Sequence, residues 1–169
     1  MEIENLVKQV KHLTNCVVFP PNGIPVLPEE YHLPNDLNHF YDLCGGMILF
    51  ENTAFPTYVV SPQDLVVANP VIFSGVDNSD LTATKGDLSW SWYLIGKGPN
   101  SQFITIDLAP ERLGMCYDSF WDRHPRDSDI IAHSFTELLS GLLKTRGEYY
   151  YWDALDFKSL GNPYTMESQ

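Results

Sequence analysis

The sequence predicts an α+β fold, a single domain in which a central, mostly antiparallel sheet is flanked by helices. Three observations carry this expectation. Apolar residues recur at helical spacing at both ends of the chain, short β-rich runs fill its middle, and those runs are joined by turns too short for the crossovers that parallel strands need. No internal repeat, low-complexity tract or linker divides the chain, so residues 1–169 read as one domain.

In chain order, Ile3, Leu6, Val7, Val10 and Leu13 fall on one stripe and predict a helix over 2–13. Pro20, Pro21, Gly23, Pro25 and Pro28 then break regular structure. A second helix is expected from Pro34, a residue favoured at helix starts, with Leu37, Phe40, Tyr41 and Cys44 on one face and Gly45-Gly46 as its stop. Met47–Phe50 and Tyr58–Ser61 read as strands, and Ser61-Pro62 as the start of a short helix through Ala68.

After a loop holding Gly75, Asp77, Asn78 and Asp80 come three strands, over Trp90–Ile95, Phe103–Asp107 and Gly114–Tyr117. Gly96, Gly98, Pro99 and Asn100 supply the turn of a hairpin between the first two. In that strand Trp90 and Trp92 would share a face. Residues 118–129 read as a polar, charged loop and Ile130–Ala132 as a short strand. Ser134 and Glu137 have capping-box spacing ahead of Phe135, Leu138, Leu139, Leu142 and Leu143, and Gly147 ends that helix. An aromatic stretch from Tyr149 to Trp152 leads into a polar tail.

Charge is the uneven feature. Asp and Glu total 22 against 10 Lys and Arg, a formal net charge of −12. Between Lys11 and Lys85 there is no basic side chain, while Glu29, Glu30, Asp36, Asp42, Glu51, Asp64, Asp77 and Asp80 all fall there. Such a field repels nucleic-acid backbones and attracts a basic protein surface, although acidity also serves solubility by itself. Cys16, Cys44 and Cys116 are odd in number and widely spaced, so neither a disulfide framework nor a zinc site is indicated. The acidic start Met1-Glu2-Ile3-Glu4 lacks the basic character of a signal peptide, and no apolar run approaches the roughly 20 residues of a membrane span. A cytoplasmic protein is expected, with no membrane association.

None of the strong local motifs for nucleophilic, metal or phosphate chemistry is present, and neither Gly45-Gly46 nor Gly96-Lys97-Gly98 opens a helix as a phosphate cradle would. The densest chemistry lies at Asp118–Asp129, where four carboxylates, one histidine and two arginines crowd twelve residues. Asp122 and His124 could form an acid–base pair or hold a metal, but alternating charges in a loop more commonly form a solvated, mutually neutralised surface. Nothing places a histidine beside Cys116 to activate it. Trp121, set within this charged loop, is the preferred exposed aromatic anchor for a partner.

The order of these pieces resembles the SUKH superfamily, the domain shared by a fungal cell-wall-assembly regulator and many bacterial toxin-immunity proteins. Leu33-Pro34-Asn35-Asp36-Leu37 through Phe40-Tyr41 and Gly45-Gly46-Met47-Ile48-Leu49-Phe50 look like its proline-led helix, paired glycines and following strand. Tyr58–Ala68 is similar to its strand and short helix, and Trp92-Tyr93-Leu94-Ile95-Gly96 through Phe103–Asp107 and Gly114 to its central hairpin and next strand. Ala132-His133-Ser134-Phe135 with Leu138-Leu139 and Leu142-Leu143 resembles its closing helix. The likeness spans about residues 30–145, leaving the N-terminal helix, the Trp121 loop and the aromatic tail outside it.

The resemblance implies an α+β domain without catalytic activity, and bacterial members commonly bind and neutralise a cognate toxin, often a nuclease, inside the producing cell. It carries over no catalytic residues, cofactor or metal. The leading expectation is therefore an antitoxin-like immunity protein that caps a basic toxin domain, encoded nearby, with its acidic surface. Glu29, Glu30, Glu51, Asp77, Asp80, Asp87, Trp121 and Asp122 are the candidate contacts. Two other readings stand beside it, a regulatory or scaffold protein binding a host protein, and a hydrolase or metal enzyme using Asp122 and His124. The oligomeric state is left open.

Overall fold

The computed structural model describes residues 1–74 and 86–167. Its centre is a seven-stranded sheet in which each strand pairs antiparallel with its sequence neighbour, in the order β1-β2-β3-β4-β5-β6-β7. The strands are β1 (Val17–Val18), β2 (Met47–Leu49), β3 (Thr57–Val59), β4 (Trp92–Gly98), β5 (Gln102–Asp107), β6 (Cys116–Asp118) and β7 (Ile130–Ala132). The described helices are α1 (Ile3–Lys11), α2 (Asn35–Leu43), α3 (Ala68–Ile72), α4 (Phe135–Thr145) and α5 (Pro163–Glu167).

The main core fills the space between one sheet face and α1, α2 and α4. Ile3, Leu6, Val7 and Val10 from α1 meet Leu37, Phe40 and Tyr41 from α2 and Phe135, Leu138, Leu139 and Leu142 from α4 over Met47, Leu49, Ile104 and Ile106. These are the helical stripes read from spacing, each buried against alternate strand residues. Phe40 and Phe135 touch edge to face with ring centroids 4.7 Å apart. Asp36 Oδ2 accepts from both the backbone N–H and the hydroxyl of Thr136 at 2.8 Å, tying α2 to the first turn of α4.

Both ends of α4 follow local chemistry. The Ser134 hydroxyl accepts from the Glu137 N–H at 3.1 Å, and Glu137 Oε2 reaches back to the His133 N–H at 2.8 Å. At the other end Arg146 and Gly147 adopt positive φ of 52° and 76°. A Cβ on Gly147 would strike Thr53 and Phe50, so both backbone angle and space select glycine there.

Several sequence expectations need correction. The helix expected from Ser61 to Ala68 is two elements, a 3₁₀ turn over Pro62–Asp64 and, separately, α3. Trp90 belongs to a 3₁₀ turn over Leu88–Ser91, not to β4, so Trp90 and Trp92 share no strand face. The reason is Asp87, whose carboxylate caps that turn by accepting from the Ser89 N–H. The β4–β5 turn sits at Asn100 and Ser101, both with φ near +60°, whereas Gly96 lies at a bulge inside β4. The aromatic tail packs back on the domain, with Tyr150 and Trp152 buried and stacked at 4.6 Å. The loop expectation for Gly75, Asp77, Asn78 and Asp80 lies outside the described residues.

Candidate protein-binding surface

The described residues cover the second sheet face over only part of its width. There Trp92, Tyr117 and Ile130 form a smaller buried cluster with Leu88, Met115, Leu160 and Tyr164 against it. Trp92 stacks on Tyr117 with centroids 4.1 Å apart, which fixes the orientation of the central strands. Asp107, at the end of β5, supplies the polar anchor beneath this layer. Its carboxylate accepts from Ser91 Oγ at 2.6 Å, Tyr117 Oη at 2.7 Å, Arg112 Nε at 2.7 Å and the Ala109 N–H at 3.0 Å. A buried carboxylate with this many donors is a structural charge, fully compensated.

The 119–129 loop completes the layer by folding over the sheet. Its charges do neutralise one another, with Arg123 bridging Asp118 at 3.3 Å and Asp129 at 3.0 Å. The expected solvated surface holds for Asp122, Arg126 and Asp127, which are exposed, while the same loop turns Ser119, His124 and Ser128 inward. His124 lies edge-on to Trp92 at 5.6 Å and its Nε2 sits 2.6 Å from Asn69 Oδ1. Asn69 Nδ2 donates to Ser89 Oγ and Ser89 Oγ to Asp87 Oδ2, so the amide oxygen faces the imidazole and Nε2 carries the proton. Burial pushes the imidazole down to about 4, against the opposing pull of Asp87. His124 is thus a neutral, interior histidine, whereas Asp122 faces solvent. Cys116 is likewise buried, which raises its thiol well above the usual range. Among the described residues no three His, Cys, Asp or Glu side chains gather to hold a metal, and no helix is long and apolar enough to cross a membrane.

The candidate contacts divide by place. Alternating strand direction puts the β2–β3 loop, the β4–β5 turn and the start of the β6–β7 loop at one end of the sheet. Exposed Glu51 sits there, as do Asp122 and Trp121, a residue 54% exposed whose backbone N–H bonds Ser101 O at 3.2 Å. Glu29 and Glu30 lie exposed at the other end, beside Tyr31, whose ring meets Tyr93 at 5.9 Å. Burial raises the phenols of Tyr31 and Tyr93, and the Glu30 charge raises both further. Asp87 shares that end, but its side chain is 10% exposed and holds Arg126 at 3.1 Å together with Ser89 and Tyr164. Burial works to raise its carboxyl, and the hydrogen bonds from Ser89 and Tyr164 with the Arg126 charge outweigh it and hold it low. Asp77 and Asp80 lie outside the described residues.

Spacing reasoning missed the uncovered part of this sheet face. Strand register aligns Val17, Ile48, Tyr58 and Lys97 in one cross-strand row. A groove of about 660 Å³ runs beside it, walled by Phe19, Pro20 and Pro21. The signal was present in the Thr57-Tyr58-Val59 alternation, where an exposed aromatic separates two buried neighbours.

The described residues thus form an antiparallel α+β domain with polar interior clusters and apolar and acidic surfaces. The SMI1/KNR4 family (SUKH-1) matches residues 29–141, and the chain belongs to that family. It is also 37% identical over 166 residues, covering 97% of this chain and 96% of the relative, to the immunity protein YokJ of Bacillus subtilis (strain 168). No solved structure matches it.

Proposed function

We propose that this protein is a non-catalytic, cytoplasmic immunity protein that binds a cognate toxin, encoded nearby, and blocks its action. The observation that carries the reading is the near-full-length similarity to a protein named as an immunity protein, which extends well beyond the family match over residues 29–141. The net charge of −12 favours a basic toxin domain, and a nuclease is the toxin class whose phosphate-binding surface an acidic partner occupies by complementarity. Glu51, Trp121 and Asp122 at one end of the sheet, with Glu29, Glu30 and the Asp77–Asp80 stretch, are the proposed contacts, and Trp121 is the aromatic anchor. Asp87 acts as a support for the loop and tail behind them.

The test is co-expression with the product of the adjacent gene. Growth of a cell producing that product should be restored by this protein, and the two should co-purify at low salt with affinity falling as salt rises. A neighbour whose product is harmless, or a toxic one that this protein neither binds nor silences, would end the reading. Trp121→Ala should weaken a true complex about tenfold or more.

A further inference from the structure

We propose that the groove on the uncovered sheet face is a second anchoring site for the toxin, one that receives a large apolar side chain from an extended segment of it. This rests on the immunity reading above. Phe19 and Tyr58, 43% and 42% exposed, present aromatic surface toward solvent at the groove, and half-buried Ile48 lies on its floor. The wall opposite β3 is preset. Asn22 Nδ2 donates to Gln63 Oε1 at 3.0 Å and Gln63 Nε2 donates back to Asn22 O at 2.9 Å, lashing the Pro20–Asn22 segment to the 3₁₀ turn. Binding there needs little ordering of the protein.

Two features specify the occupant. Pro20 and Pro21 carry no N–H, so this rim cannot template an added strand, and recognition must come from side chains entering the groove. Charge then sets the flanks. Lys97, directly opposite Tyr58, is exposed in the groove lining and forms none of the ion pairs seen among the described residues, although the chain is strongly acidic. Asp64, in the 3₁₀ turn that follows β3, is exposed in the same lining and already accepts from the Ser61 hydroxyl. The complementary segment carries an apolar side chain with a carboxylate toward Lys97 and a cation toward Asp64. A second copy of this chain is disfavoured as occupant because two bodies of net charge −12 repel, while a basic toxin is drawn in.

The probe is the adjacent gene's product, purified separately and titrated against full-length protein by surface plasmon resonance. Tyr58→Ala, Phe19→Ala and Lys97→Glu are expected to raise the dissociation rate about tenfold or more each. Lys97→Glu is the decisive variant, because it makes the chain more acidic and should leave association with a basic partner as fast or faster while release accelerates. A general field effect would instead tighten binding. All three side chains are exposed, so unchanged thermal melts will certify folded variants. If the wild type binds and the three variants bind equally well, the groove assignment is overturned and the immunity reading stands. Concentration-dependent dimers of the wild type, lost in these variants, would also overturn it in favour of self-association. If the wild type does not bind the adjacent product, both fall.

Discussion

His124 donates its Nε2–H to Asn69 Oδ1 across 2.6 Å, joining the 119–129 loop to α3 over 55 positions of sequence. No partner among the described residues meets the opposite nitrogen, Nδ1, in its buried setting. Protonation would therefore place an unpaired cation inside the smaller aromatic cluster.

That geometry sets a pH dependence. The imidazole titrates near 6.5 when unfolded and near 4 when folded, so the unfolded chain binds the extra proton first and stability drains as pH falls from 6.5 toward 4. Between pH 7 and pH 5 the loss should be about 2 kcal/mol, read from urea midpoints. His124→Gln should be less stable at pH 7 but show a flatter profile over that range. Identical profiles for the two proteins would remove His124 as the cause.

Asp107→Ala should be among the costliest single changes. It strands the buried Tyr117 hydroxyl, leaves Ser91 only the Leu88 carbonyl to donate to, and removes the carboxylate from a guanidinium whose side chain is only 10% exposed. A loss of about 3 kcal/mol or more is expected, lowering the melting temperature by about 10 °C. A shift under about 2 °C would contradict the network as described.

Asp87 and Trp121 should separate support from contact. Asp87→Ala releases Arg126 and Tyr164 and should loosen α5, read as faster proteolysis of the C-terminal tail and a stability loss of about 1–2 kcal/mol. Trp121→Ala should leave stability within about 0.5 kcal/mol while weakening the proposed toxin complex. The reverse pattern would interchange their roles.

Helix α4 offers a calibration at each end. Ser134→Ala removes a cap and should cost about 1 kcal/mol by thermal or urea unfolding. Gly147→Ala combines a positive φ with a clash against Thr53 and Phe50 and should cost more, about 2 kcal/mol.

Much of this fold was legible because its determinants are local. The stripe of α1, the proline-led start of α2, the Ser134–Glu137 cap and the short turns between β-rich runs each declare themselves within a dozen residues. Trp90 misled because β propensity in Ser89–Tyr93 was outweighed by the Asp87 cap, which starts a 3₁₀ turn instead. The inward-facing side of the 119–129 loop was hidden for a different reason. Its burial depends on Asn69, on Asp87 and on a tail residue, Tyr164, all distant in sequence. The candidate contacts were legible only as residue types. Charge composition cannot say that Glu30 and Glu51 lie at opposite ends of a sheet, nor that Asp87 is spent on holding a loop.

The neighbour-to-neighbour order of the seven strands bears on how the protein is made. Each strand finds its partner in the segment synthesised just before it, so the sheet can grow hairpin by hairpin as the chain leaves the ribosome, with small loop-closure penalties at most steps. α4 must reach back to α1 and α2, and Tyr164 of α5 to Asp87, and both emerge late. All seven strands thus precede the helix that closes the core over them, an order that serves the immunity role proposed above.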